Sequence, residues 1–518
     1  MSDNIYLTGF MGAGKTTVGK SLAELLNRKF VDLDQVLEKE LGTSINEIFS
    51  SRGEEYFRDQ ESRFLEKISR RNRIVAATGG GVVQRENNLA LMKQHGRTVY
   101  LETDLDACAR RLGERETASR PLWRDRAALT ALFEKRKPLY SRADLVIPVD
   151  DLGPGDLARG LAAGLFPEKT FQARLDREEC PVVGSWSGEE ELADVIKGRK
   201  TALLTDANVD RLHADRFRKA LDPALNLVVP AGERSKTLDR AGKIYQALLD
   251  GHFDRGDVLV GLGGGVVTDL GAFVAATFKR GMKFALVSTT LLGAVDAAVG
   301  GKAAVNLGQA KNSVGCFTVP EKVVLDARAL RTLRLDQVRE GLVEAYKTGL
   351  VASPELAAFV ENDLEGLLSR DLPLLFKLAA WSARTKADVV GRDFRESGSR
   401  AILNFGHTFG HAIEGWHNYK ISHGRAVAMG LRVAVLVSKN RGLLPGVEAD
   451  RIQKTLGLIM ANKHAWPPLD QAWELMKHDK KIRQGRMVFV LLEGPGRPVL
   501  SHDVLPEELA RALSELEA

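Results

Sequence analysis

The sequence predicts an α/β protein in three parts. A domain built on a parallel sheet behind a glycine-rich loop comes first, then a second α/β domain, then a mainly helical one. Three observations carry that reading. The chain has 518 residues, too many for one core, so about three domain-sized units are expected. Short apolar runs that read as buried strands alternate with helical spacing in two stretches, the pattern of parallel sheets covered by helices. Beyond residue 328 the strand signals fade and helical periodicity continues alone, as in Pro354 to Leu368 and Leu372 to Val390.

Bulk composition excludes several classes. Hydrophobic residues at 44% and charged residues at 27% describe an ordinary globular chain. A net charge of +6 is small for this length, and no basic patch interleaved with aromatics accompanies it, so no nucleic-acid partner is expected. Cys108, Cys180 and Cys316 are scattered and odd in number, which suits a reducing compartment rather than a disulfide framework. No signal peptide is visible, and no uncharged apolar run approaches the ~20 residues that span a bilayer. A soluble, cytoplasmic protein without a membrane partner is expected.

In the first segment Ile5 to Thr8 reads as a strand. It runs into Gly9-Phe10-Met11-Gly12-Ala13-Gly14-Lys15-Thr16-Thr17, and helical spacing follows from Val18 to Leu26. This is the full G-x-x-x-x-G-K-[ST] pattern in its strand–loop–helix context. Backbone N–H groups around Gly12, Ala13 and Gly14 can close on phosphates, Lys15 can reach the outer ones, and the Thr16 hydroxyl suits Mg²⁺. A nucleoside triphosphate is the expected ligand. Phe30 to Asp34 reads as a second strand with Asp32 and Asp34 pointing to one side. Those acids suit Mg²⁺ and a hydroxyl-bearing acceptor, or equally a helix N-cap for the residues from Gln35. Further on come Arg58, a triple glycine (Gly79 to Gly81) after the strand Ile74 to Ala77, Arg120 in Arg-Pro-Leu, and Arg136 ahead of Tyr140.

GFMGAGKTTVGK, FVDLD, EEYFRDQE, ATGGGVV, the Arg-Pro-Leu stretch and RKPLY, in this order, resemble shikimate kinase across the whole segment. The resemblance implies a small P-loop kinase with a five-stranded parallel sheet. It implies ATP with Mg²⁺ bound through Gly12 to Thr17, and shikimate held by Asp34, Arg58, Gly80 and Arg136. Asp34 would be the base, and Asp32 would support Mg²⁺ through the groups around it. Arg120 would close over ATP and meet the transferred phosphoryl group. Two guanidinium groups, Arg58 and Arg136, suit a carboxylate substrate. A related kinase such as gluconate kinase is the alternative, since the loop alone does not choose the acceptor. The first domain is expected to cover residues 1–167, with the break in Phe166 to Thr170.

The next domain, residues 172–328, shows strands at Thr201 to Thr205, Asn226 to Pro230 and Val258 to Gly261. The last runs into Gly261-Leu262-Gly263-Gly264-Gly265-Val266. Val266 spoils a G-x-G-x-x-G fingerprint, so the turn reads either as structural or as backbone amides that suit a pyrophosphate. Polar and basic residues then collect along Thr289, Thr290, Asp296, Lys302, Asn306, Lys311 and Asn312, and on to Lys347, Lys386 and Arg400. The third domain, residues 329–518, holds Asn404-Phe405-Gly406-His407-Thr408-Phe409-Gly410-His411. His407 and His411 share one helix face, and the simplest reading makes both ligands of one metal ion. A cleft between an α/β and a helical domain is a natural site for an anionic substrate.

AGERSK, GLGGGVVTDLGAF, VDAAVGGK, GLVEAYKTGL, ESGSRAILNFGHTFGHAIE and SHGRAVAMG resemble 3-dehydroquinate synthase from about residue 175 to the end. The resemblance implies NAD⁺ and one divalent metal, Zn²⁺ or Co²⁺. It implies conversion of 3-deoxy-arabino-heptulosonate 7-phosphate to 3-dehydroquinate with loss of phosphate. Metal ligands would be Glu344, His407 and His423, so His411 becomes a contact or proton carrier at the substrate. NAD⁺ would meet Glu233, Lys236, Gly264, Gly265, Asp269, Thr289, Thr290, Lys302, Lys311 and Thr332. The phosphorylated substrate would meet Asp296, Arg280, Lys302, Asn312, Lys347, Lys386, Arg400, Asn404, His411 and one of Lys480 and Lys481, here taken as Lys481. Lys302 and His411 would also act in catalysis. The sequence departs from the family at Arg425, where Glu is usual, at Ala297 and Ala298, where serines are usual, and at Ala303, where Thr is common. All three metal ligands and the phosphate-binding lysine are kept. The resemblance also points to a homodimer. A metal- and NAD-dependent polyol dehydrogenase and a non-enzymatic nucleotide sensor are the competing readings.

Overall fold

A computed structural model divides the chain into two compact units, Met1–Glu168 and Lys169–Ala518. It describes residues 4–517 apart from 26–27, 72–73, 120–124, 150–152, 163–168, 177, 186–187, 309, 461–464 and 478–486.

In the first unit β1 (Asn4–Thr8), β2 (Lys29–Asp32), β3 (Ile74–Ala77), β4 (Gly96–Glu102) and β5 (Leu145–Pro148) form one parallel sheet in the order β2-β3-β1-β4-β5. The run Ile-Val-Ala-Ala of β3 is buried at every position, as a strand covered on both faces requires. Because all five strands run the same way, the loops after β1, β2 and β3 open at one edge, where ligands of such sheets bind. One expectation needs correction there. The second strand stops at Asp32, and Leu33–Leu41 is helical, with the Asp32 carboxylate accepting from the Gln35 amide as N-cap. Asp34 therefore sits in a helix first turn, not beside Asp32 on a strand face.

The second unit begins earlier than residue 172, because β6 (Lys169–Leu175) pairs antiparallel with β7 (Glu178–Ser185) along its whole length. After these come β8 (Thr201–Asp206), β9 (Leu225–Val229), β10 (Val258–Gly263) and β11 (Lys283–Ser288), then a hairpin of β12 (Lys302–Leu307) and β13 (Ala310–Phe317), then β14 (Lys322–Asp326). The main sheet runs β6-β7-β14-β11-β10-β8-β9, parallel from β7 onward. The helical part follows, closed by a last hairpin of β15 (Phe489–Gly494) and β16 (Arg497–Ser501). At its centre lies the helix Leu335–Ala352, buried from Gly341 through Val351. The helices His407–Trp416 and His423–Asn440 cross at glycines, where a Cβ on Gly430 would stand 2.0 Å from the Gly406 carbonyl. Among the described residues no helix is long and apolar enough to cross a membrane.

Candidate functional sites

The first site lies at the carboxyl edge of the five-stranded sheet. Gly9, Gly12 and Gly14 hold φ of 143°, 85° and 92°, so the loop depends on residues without a Cβ; at Gly12 one would meet the Cys108 carbonyl at 2.8 Å. Lys15 Nζ folds back onto the carbonyls of Gly9 (2.8 Å) and Phe10 (2.9 Å), crowning the loop. The Thr16 hydroxyl donates to Asp32 at 2.8 Å, which puts an acid beside the hydroxyl expected to serve Mg²⁺. Opposite stands a buried cluster. Arg58 is 8% and Arg136 6% exposed, and Arg136 donates to the Gly80 carbonyl at 3.3 Å. Gly79 presses against Asp34 and Glu61, since a Cβ there would lie 2.8 and 2.4 Å from their oxygens. Burial pushes the Asp34 carboxyl above the usual range, while Lys15 and Arg58 pull the other way. Asp34, Arg58, Gly80 and Arg136 are thus brought together; Arg120 lies outside the described residues.

Glu61 belongs to this cluster and was not read from the sequence. It is fully buried, its Oε2 accepts from Arg58 at 2.7 Å, and its Oε1 has no hydrogen-bond partner among the described residues. The i,i+3 spacing from Arg58 on one helix was the available signal.

The second site lies between the carboxyl edge of the larger sheet and the helical part. Glu344, one turn before Lys347 on the central helix, is 1% exposed. Its Oε2 accepts from Lys347 Nζ. Among the described residues its Oε1 accepts no hydrogen bond, and it faces His407 Nε2 at 3.7 Å and His423 Nε2 at 3.6 Å. A buried carboxylate oxygen between two imidazole nitrogens is a donor set for a divalent cation. Phe405 O lies 3.2 Å from His407 Nδ1, a contact that holds the ring with Nε2 toward Glu344. His411, Glu414 and His423 form a second, overlapping group whose ligand atoms lie within 4.8 Å of one another. The two histidines of the helix face therefore enter different groups, which share His423.

Around this set lies a polar ring. Lys386 Nζ meets Asp296 through its carbonyl and Oδ1, both at 2.5 Å. Burial raises the Asp296 carboxyl, but Lys386 and Lys347 outweigh it and hold it well below the usual range. Arg400 is buried, its Nη1 donating to Phe394 O at 2.6 Å. Lys302 pairs with Glu396, which also accepts from Asn404 at 2.7 Å. Lys236 pairs with Asp269 and donates to Asn312 at 2.5 Å; Asn306 donates to Glu233 at 2.8 Å. Gly264 caps the helix Gly265–Thr277 against Thr290, and the buried Thr289 hydroxyl has no hydrogen-bond partner among the described residues. Thr332 closes the turn after β14, its hydroxyl donating to Ala329 O and standing 2.9 Å from His213 Nε2.

Arg280 does not join this ring within one chain. It is exposed and precedes β11, whereas Thr289 and Thr290 follow it; six strand residues put about 20 Å between the two ends. Lys481 lies outside the described residues. Sequence reasoning also passed over Glu396 and Glu414, acids that tie the basic residues in place. Arg425 stands in the first turn of the helix His423–Asn440, where Ser422 as N-cap accepts no cap bond from a backbone amide and the neighbouring Glu340 carboxyl feels the Arg425 charge.

The fold and the two sites define a class: a P-loop nucleotide-binding unit followed by an α/β and helical unit with a glycine turn at a helix start and a candidate cation-ligand set. Residues 11–161 match the shikimate kinase family, 226–340 the N-terminal part of 3-dehydroquinate synthase and 341–482 its C-terminal part. A bifunctional shikimate kinase/3-dehydroquinate synthase from Thermotoga maritima is 32% identical over 493 residues, 93% of this chain and 94% of that one. The 3-dehydroquinate synthase of Psychrobacter cryohalolentis is 38% identical over 343 residues, 65% of this chain and 92% of the relative. The solved structure of ValA (2-epi-5-epi-valiolone synthase) from Streptomyces hygroscopicus, with NAD⁺ and Zn²⁺ bound, superposes at TM-score 0.62 and 25% identity, covering 66% of this chain and 98% of that one. The chain belongs to the bifunctional shikimate kinase/3-dehydroquinate synthase family, two enzymes in one polypeptide.

Proposed function

We propose that the first unit phosphorylates shikimate with MgATP. The second unit converts 3-deoxy-arabino-heptulosonate 7-phosphate to 3-dehydroquinate with release of phosphate, using NAD⁺ and Zn²⁺ or Co²⁺. In the first site the amides from Gly12 to Thr17 and Lys15 hold the phosphates, and Thr16, backed by Asp32, faces Mg²⁺. Arg58 and Arg136 hold the acceptor's carboxylate, the backbone at Gly80 shapes its pocket, and Asp34 takes the proton of the attacking hydroxyl. Arg120 meets the transferred group.

In the second site Glu344, His407 and His423 would hold the cation. When bound, the cation polarises substrate oxygens as a Lewis acid and NAD⁺ accepts and returns a hydride. The chain's own residues orient and neutralise. Lys302, Asn312, Lys347, Lys386, Arg400 and Asn404 surround the phosphate and hydroxyls, with Lys481 a further contact expected from the resemblance, and Asp296 pairs with Lys386. His411 moves a proton beside the cation. Glu233, Lys236, Gly264, Gly265, Asp269, Thr289, Thr290, Lys311 and Thr332 line the dinucleotide groove. Arg280, remote within one chain, would reach a phosphate only from a second copy, in keeping with a homodimer working in the cytoplasm. The observation that carries the second reading is the buried Glu344 Oε1, without a hydrogen-bond partner among the described residues, between two imidazole nitrogens.

The test supplies the heptulosonate phosphate and NAD⁺ with and without 1,10-phenanthroline, while shikimate phosphorylation is followed with MgATP. Phosphate release without net NADH, lost with the chelator and restored by Zn²⁺, is expected, with the kinase unaffected. Net NADH production would instead mark a dehydrogenase. A metal-restored protein that releases no phosphate would sink the lyase reading.

A further inference from the structure

Glu414 sits on the helix His407–Trp416, one turn beyond His411, and is 3% exposed. Its Oε1 accepts from Lys311 Nζ at 2.9 Å, and its Oε2 lies 3.5 Å from His423 Nδ1. His423 turns its other nitrogen, Nε2, to Glu344 Oε1 at 3.6 Å. One imidazole therefore spans two buried carboxylates, one at each ring nitrogen. Lys311 stands on β13, in the hairpin between β11 and β14, and its Nζ lies 4.7 Å from the centre of the Tyr419 ring. Lys311, Glu414 and His423 thus form a chain from the hairpin to the cation ligands.

A neutral imidazole carries one N–H, and the group facing one nitrogen decides which nitrogen keeps its lone pair. A carboxylate at Nδ1 fixes the proton there, locks the ring and makes Nε2 a better donor to a cation. His407 gets the same service from the backbone carbonyl of Phe405. A backbone carbonyl is fixed by the helix start, whereas Glu414 is shared with a lysine of a separate element, so its hold on His423 depends on where the hairpin stands.

We propose that Glu414 is a positioning residue that orients His423 for the cation through Nδ1 and, through Lys311, ties that setting to the β12–β13 hairpin. The inference rests on the reading of Glu344, His407 and His423 as cation ligands. Cation affinity and hairpin order then rise together.

The test uses the full chain freed of metal, with Co²⁺ affinity measured by chelator competition and hydrogen exchange followed across residues 302–317. In the wild type Co²⁺ should slow exchange in the hairpin. Glu414→Gln should lose roughly 10–100-fold in Co²⁺ affinity, the usual effect of removing a partner behind a ligand, and Co²⁺ should no longer slow the hairpin amides. Lys311→Met, which alters a partly exposed lysine, should keep most of the affinity yet lose the Co²⁺-dependent protection. A Glu414→Gln protein that binds Co²⁺ within about threefold of wild type would overturn the orienting role, being well short of that expected loss. Co²⁺-dependent protection persisting in Lys311→Met would overturn the link to the hairpin, even if Glu414→Gln folds poorly. His423→Ala serves as the check on the ligand set: unchanged Co²⁺ affinity there removes the ligand reading itself.

Discussion

Replacing Gly430 by alanine should cost the second unit its cation before it costs its fold. Gly430 lies two turns into the helix His423–Asn440, and Gly406 immediately precedes His407 on the helix it crosses. An alanine Cβ at residue 430 would stand 2.0 Å from Gly406 O and 2.8 Å from Gly410 N. A carbon–oxygen contact shortens only to about 3.3 Å, so the two helices must part by roughly 1.3 Å at that point. The Gly406 carbonyl cannot easily turn aside, because its residue is already held at φ 76°. The helices carry His407 and His423, and cation–ligand distances tolerate only about 0.2 Å. The separation is several times that tolerance. Overpacking of this kind costs about 1–3 kcal/mol, a loss that a unit of this size survives. Co²⁺ affinity of the metal-free protein, measured by chelator competition, should fall by at least the roughly 10–100-fold that loss of one orienting contact brings. Shikimate phosphorylation serves as the internal control and should be unchanged. A Gly430→Ala protein with wild-type Co²⁺ affinity and melting temperature would show that this glycine contact does not set the spacing of the ligands.

Four further outcomes follow from the geometry of the two sites. Asp34→Asn should abolish shikimate phosphorylation while leaving phosphate release from the heptulosonate intact, as two separate assays on one preparation would show. Burial raises the Asp34 carboxyl, and the base acts deprotonated, so kcat/KM for shikimate should fall on the acid side through an apparent pKa above the ~4 of a free aspartate; a profile flat down to that value would contradict the assignment. Gly79→Ala should displace the Asp34 and Glu61 carboxylates, which lie 2.8 and 2.4 Å from the added carbon, and should raise KM for shikimate more than KM for ATP. Lys386→Met removes the partner of Asp296, whose side chain is 34% exposed, so the cost should be moderate, roughly 1–3 kcal/mol in a denaturant melt, with loss of phosphate release.

Signals that lie within one turn or one loop were legible in the sequence. The loop from Gly9 to Thr17 announces itself because a phosphate cradle needs its glycines, lysine and hydroxyl at fixed spacing, and the structure has the expected strand, glycine-rich turn and helix, with Lys15 over the Gly9 and Phe10 carbonyls. Strands at Ile74 to Ala77 and from Val258 were readable because a strand buried on both faces is a continuous apolar run. The β12–β13 hairpin was not, since β13 only alternates exposed and half-buried positions and the pair mixes Lys, Asn, Gly and Ala, a composition that resembles a loop. Asp34 was placed on the wrong element for a related reason: Asp32 serves as both strand end and N-cap, and only the backbone decides where the strand stops.

By itself the sequence determined two chemistries, a nucleotide loop and a histidine-bearing helix face, because both are carried by residues close together in the chain. Only the tertiary structure brings their partners to them. Glu344, distant in sequence, is delivered by the central helix to His407 and His423, while His411, on the same helix face as His407, is drawn into a group with Glu414. The physical reason is that helical spacing fixes which side chains share a face, whereas the crossing of helices at Gly406 and Gly430 fixes what that face meets.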